Sequence, residues 1–134
     1  MQEPKFKGFD VEDKIWRYGF GWYKEDYTDE YKKLKGISED IAMLLSIQGF
    51  YKCSLRSMGL FTGAKDLKGK EIWDGDLVET PFSDVGVVYY DEESAMFRVD
   101  DTTGSLPDLA YLLEEGVTVI GNKYEQAERM KGFE

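Results

Sequence analysis

Short runs in which apolar and polar residues alternate fill most of the chain, the spacing of half-buried β-strands. Lys5-Phe-Lys-Gly-Phe-Asp10 and Lys14-Ile-Trp-Arg-Tyr18 read as two such strands around the charged turn Val11-Glu-Asp-Lys14. Gly19-Phe-Gly-Trp-Tyr23 continues as strand or bulge, with glycines that permit close backbone approach. The pattern then changes. Residues 24–36 are strongly charged, and Tyr23, Tyr27 and Tyr31 recur every four residues, a spacing that would set three rings on one helical face. A solvated loop is the alternative.

Residues 37–49 predict a short helix. Ser38 is suited to the N-cap, Glu39 and Asp40 to the positive helix end, and Gly49 to a left-handed terminus. Ile41, Leu44 and Leu45 fall at i, i+3 and i+4. A buried strand stays open for so short an apolar run. Phe50 to Leu55 then reads as a strand.

From residue 59 onward the alternation is short-ranged and broken by turn signals. Leu60-Phe-Thr62 is β-prone, a tight reversal is expected at Lys68-Gly69, and Glu71-Ile-Trp73 returns. Asp74-Gly-Asp76 is a second turn into Leu77 to Thr80. Val85 to Tyr90 and Ala95 to Val99 form a hairpin, Leu106 to Leu113 carries a helical turn, and Val117 to Ile120 closes the set. About five short strands in such a series predict a small, strongly bent β-barrel. Glu125 to Glu134 is a polar tail, partly helical at most.

The densest local signals lie between Gly59 and Val78. Phe61-Thr-Gly63, Lys65-Asp66, Gly69-Lys-Glu-Ile72 and Gly75-Asp-Leu-Val78 resemble the signature of YopX-like phage and prophage proteins, roughly Y-T-G-L-K-D-x-N-G-K-E-I-Y-E-G-D-I-V. Lys5 to Asp10 and Val119 to Glu125 resemble the same family, so the likeness spans the chain around a divergent middle. Lys68 departs from the pattern, standing where the family usually has Asn. The resemblance implies one mainly β domain over residues 1–134: N-terminal strands and a variable middle over 1–57, an SH3-like barrel over 58–125, and the tail over 126–134. It implies no settled activity and assigns no catalytic residue.

Composition narrows the chemistry. At 42% hydrophobic and 15% aromatic residues, the 134-residue chain has the material for a core. The N-terminal residues lack the apolar stretch of a secretory signal, and no run of eighteen apolar residues occurs. A single cysteine, Cys53, excludes an internal disulfide and suits a reducing cytoplasm, here that of a bacterial host. The absence of histidine removes Ser-His-Asp and Cys-His catalysis and histidine-ligated zinc. Cys53, in an alternating segment without an evident activating partner, reads as a small core hydrophobe. No phosphate-binding or dinucleotide fingerprint is present.

With 27 acidic and 17 basic residues the net charge is −10, which opposes non-specific binding to nucleic acid. Ten carboxylates and one base, Arg98, lie between Glu71 and Asp101. Asp74, Asp76 and Glu79, or Asp91, Glu92 and Glu93, could converge on a hard cation, although the same residues serve turns and strand edges equally simply. A carboxylate-based, metal-dependent enzyme is therefore carried as one alternative. Neither a metal nor a cofactor is expected. Lys65, Lys68 and Lys70 on one hairpin are the alternative nucleic-acid contacts.

The aromatics point elsewhere. Eight Phe, three Trp and nine Tyr exceed what a small barrel buries, so some reach the surface, where Tyr and Trp anchor interfaces. The expected contact surface comprises Trp22, Tyr23, Tyr27, Tyr31, Trp73, Asp74 and Asp76. It implies a non-enzymatic module that binds a protein partner or a second copy of itself, with no membrane and no nucleic acid.

Overall fold

A computed structural model describes residues 5–131 of the chain. It is mainly β, with eleven strands and three α-helices among the described residues, and it divides into two compact units at Leu60/Phe61.

In the first unit, β1 (Phe6–Phe9) and β2 (Trp16–Gly19) pair antiparallel from Phe6↔Gly19 to Phe9↔Trp16. Asp10 closes the turn between them. Its Oδ1 accepts the N–H groups of Glu12 and Asp13 at 2.8 and 3.1 Å, and its Oδ2 accepts the Arg17 Nε–H at 3.2 Å. Three further strands, β3 (Gly21–Glu25), β4 (Ile41–Ser46) and β5 (Gly49–Ser54), form an antiparallel sheet in that order. Its inward face supplies the buried Ala42, Leu44 and Cys53, to which Ile41 is added from the other face. Between β3 and β4 runs α1 (Asp29–Lys35), and a 3-10 turn (Leu55–Ser57) follows β5.

Strand β6 (Gly59–Lys65) begins in this unit, pairing Gly59 and Leu60 with β1, and continues into the second. There it pairs with β7 (Glu71–Trp73) at Phe61↔Trp73 and Lys65↔Glu71, with an irregularity between them. The remaining strands are β8 (Asp76–Glu79), β9 (Val85–Asp91), β10 (Met96–Asp100) and β11 (Thr118–Asn122), arranged β10-β9-β8-β11 and antiparallel throughout. Helix α2 (Leu109–Glu115) packs on β10, and α3 (Lys123–Lys131) follows β11. Ile72, Val78, Val88, Val99, Leu109, Leu112 and Val117 form one buried cluster.

The mainly β reading holds, and among the described residues none of the sheets closes into a barrel. The predicted helix over 37–49 is instead β4 and its hairpin to β5, because the apolar run pairs on both sides and alternates between the sheet's faces. The helix lies earlier. Thr28 accepts the Tyr31 N–H as N-cap, Asp29 and Glu30 fill the first turn, three lysines the last, and Gly36 ends it at φ 70°. The three-tyrosine helical face is corrected with it, since Tyr23 belongs to β3. The C-terminal tail is helical through Lys131, started by the Asn122 carboxamide, which accepts the N–H groups of Tyr124 and Glu125. Residues 132–134 of that predicted tail, and the first four residues of the segment read for a leader, lie outside the described residues.

Gly86 on β9 marks the closest strand approach in the second unit's sheet: a Cβ there would lie 2.5 Å from Val99 Cγ1 and 2.9 Å from the Asp100 carbonyl oxygen. Gly86→Ala is expected to cost about 1–3 kcal/mol through overpacking. Gly21→Ala, whose Cβ would meet only Leu45 at 3.9 Å, should change stability little. Urea denaturation of both variants checks the contrast, and equal stabilities would contradict it.

Candidate functional site

The aromatic candidates of the first unit stand on the β3-β4-β5 sheet and the helix that leaves it. Residues in register share a face. Trp22 is level with Leu44 and Tyr51, on the inward side with Ala42 and Cys53, and reaches solvent because β3 is the sheet's edge. Tyr23 is level with Met43 and Lys52, and Gly21 with Leu45 and Phe50, on the opposite face. That face is buried at Ile41 and Ser54 and opens towards the β4–β5 hairpin, where Lys52 stands beside apolar side chains and Tyr23 is 47% and Phe50 65% exposed. Ile47, in the β4–β5 hairpin, is 97% exposed. At the other end Tyr27 and Tyr31 stack, with centroids 4.9 Å apart and planes at 28°.

Burial raises the Tyr27 phenol above its ordinary range, with Glu25, Tyr31 and Tyr23 adding to the effect and Lys52 opposing it. Those neighbours place the ring beside the Tyr23–Met43–Lys52 row. Helix α1 buries no residue of its own. It is tethered by the tyrosine stack and by the Lys32–Asp40 ion pair at 2.8 Å, an exposed contact of small energy. Tyr23, Tyr27 and Tyr31 therefore gather at one place, although a strand and a helix supply them separately. Met43, Leu45, Phe50 and Ile47 belong to the same surface and were not singled out in the sequence. Once the central segment is a strand, their alternation identifies them.

Trp73, Asp74 and Asp76 lie in the second unit and form no such surface. Trp73 is 4% exposed, its ring packed against Phe61 at 5.2 Å, so it is a core aromatic and no anchor. Asp76 is buried and closes its turn, accepting the Trp73 N–H at 2.8 Å and the Asn122 Nδ2–H at 3.3 Å. The half-buried Asp74 has its carboxyl pushed up by burial and by the charge of Asp76, against the pull of Lys123.

Asp91 likewise holds its hairpin, accepting hydrogen bonds from Ser94 Oγ, the Glu93 N–H and Arg98 Nε. Among the described residues no three Asp, Glu or Cys side chains gather as a metal site would require.

Lys65, Lys68 and Lys70 are exposed on the β6–β7 hairpin. Its organiser is a residue absent from every candidate set. Asp66 is buried; its Oδ1 accepts the N–H groups of Lys68 and Lys70, both at 2.9 Å, and its Oδ2 accepts that of Val119 on β11 at 2.9 Å. Gly69, at φ 82°, donates to the Asp66 carbonyl and turns the chain. This is a three-residue loop with a left-handed glycine, which needs no Asn at position 68.

Cys53 is buried in the first unit, and burial, reinforced by the charge of Asp10, pushes its thiol up to about 12 despite Arg17. A thiol so placed is almost wholly protonated at neutral pH.

The charge is divided unevenly. Residues 1–60 carry ten acidic and ten basic side chains, whereas residues 61–134 carry seventeen and seven. The whole net charge therefore belongs to the second unit. No helix among the described residues is long and apolar enough to cross a membrane.

Fold and surfaces together define a small, mainly β protein of two units, one neutral with an open aromatic face and one acidic. The family model described as YopX protein matches residues 5–131, and the chain belongs to the YopX family. No curated protein matches it in sequence.

Two outcomes follow for the buried groups. Burial would raise the Asp66 carboxyl, but the N–H groups of Val119, Lys70 and Lys68 and the Lys70 charge outweigh it and hold the carboxyl below its ordinary value. Its stabilisation is thus present above the unfolded value of about 3.9 and is lost as pH falls through the lower folded value. Asp66→Ala should cost about 2–3 kcal/mol at pH 7 and should flatten the acid limb of the stability profile below roughly pH 4. An unaltered acid limb would refute this role. Cys53 should react with an aromatic disulfide reagent at pH 7 only when the chain is unfolded by urea; rapid labelling of the folded protein would show the thiol to be accessible.

Proposed function

We propose that this protein is a non-enzymatic protein-interaction module, a phage or prophage accessory protein acting in the cytoplasm of a bacterial host. The observation that carries this reading is the outward face of the first unit's sheet. Tyr23, Met43, Leu45 and Phe50 lie there in register, with Ile47 in the adjoining hairpin and the Tyr27–Tyr31 stack beside them. Contiguous exposed apolar surface marks contact sites, and Tyr and Phe rings supply large rigid area at low entropic cost. The unit's charge balance leaves this face free of general repulsion towards a partner or a second copy. We read the second unit as SH3-like in its succession of short, bulged antiparallel strands, an acidic scaffold whose field favours basic partners.

A tagged full-length chain incubated with host lysate, with and without nuclease, tests the reading by mass spectrometry. The expected result is a nuclease-resistant partner that is lost with the Tyr23→Ser, Phe50→Ser double variant. For self-association, the same variant should reduce the mass seen by light scattering. Recovery only without nuclease, abolished by replacing Lys65, Lys68 and Lys70, would overturn it in favour of nucleic-acid binding through the exposed hairpin lysines.

A further inference from the structure

Strand β3 ends its sheet, and among the described residues no strand lies against its outer edge. Which of its peptide groups face that edge follows from the β4–β5 hairpin. The hairpin loop is Ile47 and Gln48, so Ser46 and Gly49 close it as a hydrogen-bonded pair. Bonded pairs then alternate along the ladder, the next being Leu44↔Tyr51 and Ala42↔Cys53. Residues between these pairs turn their N–H and C=O groups away from the hairpin. Two contacts show it. The Lys52 carbonyl accepts the Val11 N–H at 3.0 Å beyond β5, and the Leu45 carbonyl accepts the Phe20 N–H at 2.9 Å on the β3 side. Leu45, Met43 and Ile41 therefore bond to Gly21, Tyr23 and Glu25. The N–H and C=O groups of Trp22 and Lys24 are left pointing out of the sheet, and both residues are exposed. Among the described residues nothing bonds to those groups.

Outward donors and acceptors two residues apart are one half of an antiparallel ladder. The sequence of β3 fits its own copy as the other half. With a two-fold axis at Tyr23, Trp22 lies opposite Lys24 of the second copy, and Lys24 opposite its Trp22. Both bonded pairs then form; sliding the register by two residues in either direction keeps only one. The side chains agree with the backbone. Each Trp22 ring meets an ammonium across the pair. Tyr23 meets Tyr23 at a non-hydrogen-bonded position, where antiparallel strands approach most closely. Glu25 faces Gly21, so no like charges are opposed. The first unit as a whole, with ten acidic and ten basic side chains, does not repel its copy. After Glu25 the chain turns onto the outward face, where Tyr27 lies beside Tyr23 and Lys52, away from the edge.

We infer that two copies of this chain join through β3, antiparallel about a two-fold axis at Tyr23, into one continuous sheet of six strands, three from each copy. The occupant of the edge is a second copy because every favourable pair across it repeats reciprocally. This deepens the self-association arm of the reading above and rests on it in placing Tyr23 in the contact; Phe50 and Ile47 stay outside the contact.

Analytical ultracentrifugation of the full chain over a dilution series tests it, and the mass should approach twice that of one chain. Lys24→Pro removes an outward N–H that the fold itself does not use. It should weaken association by about tenfold or more. Phe50→Ser, on the far strand, should not. Tyr23→Cys gives a readout of register that does not depend on how the proline variant folds. Its thiols, opposed across the axis, should join into a disulfide dimer with oxidised glutathione, and the buried Cys53 takes no part. Lys24→Cys sets its thiols on the diagonal and should cross-link far more slowly. A chain monomeric at every concentration, a dimer indifferent to Lys24→Pro, or equal cross-linking of the two cysteine variants would overturn the inference. Loss of the dimer with Phe50→Ser alone would replace it with face-to-face packing. A monomeric chain that still captures a nuclease-resistant partner would end this inference and leave the protein-binding reading standing. A Tyr23→Cys cross-linked dimer that captures no partner would support it and confine that reading to self-association.

Discussion

A buried carboxylate accepting backbone N–H groups is the interaction on which the second unit rests. Turns leave peptide donors that cannot pair within a ladder, and a donor buried without a partner is costly. Asp66 resolves this for the signature hairpin and, through the Val119 N–H, fastens that hairpin to a strand 53 residues further on. Asp76 does the same one turn later. Its second partner, Asn122, passes the connection on by accepting the N–H groups of Tyr124 and Glu125 at the start of α3. Burying a carboxylate is unfavourable by itself, and several converging N–H groups offset the loss of hydration.

The same device explains part of the acidity. Asp10, Asp66, Asp76 and Asp91 each close a turn, and so their charges are structural before they are functional. What remains is a difference between the units. The first is balanced and offers aromatic and aliphatic side chains on an open sheet face. The second holds the whole net charge and an apolar groove between β6, β10 and α2.

Close backbone approach sets the second unit's packing. Gly86 lets β9 lie against Val99 and the Asp100 carbonyl, bringing Val88 and Val99 into the cluster with Ile72 and Leu112. The bulge between Val119 and Gly121 shifts register beside the Asp66 contact, and β6 shows a second register shift between Phe61 and Lys65. These departures from regular pairing bend the strands locally, and the sheets stay open.

Sequence alone determined the mainly β character, most strand positions after residue 59, the first strand pair and the family, because alternation and turn residues are local signals. The helix at 29–35 was also written there, in Thr28, its acidic first turn, its lysines and Gly36, but the tyrosine spacing drew attention across the strand boundary. Tertiary structure decided the rest. Ile41 to Ser46 became a strand because neighbours on both sides paired with it, which the five-residue apolar run Ile41 to Leu45 does not announce. Trp73 and Asp76 went inside, and Phe50 and Ile47 stayed outside, because burial depends on which faces meet. Asp66 gained its importance from a donor 53 residues away. Such pairings are non-local, and residue type and spacing within a short window do not encode them.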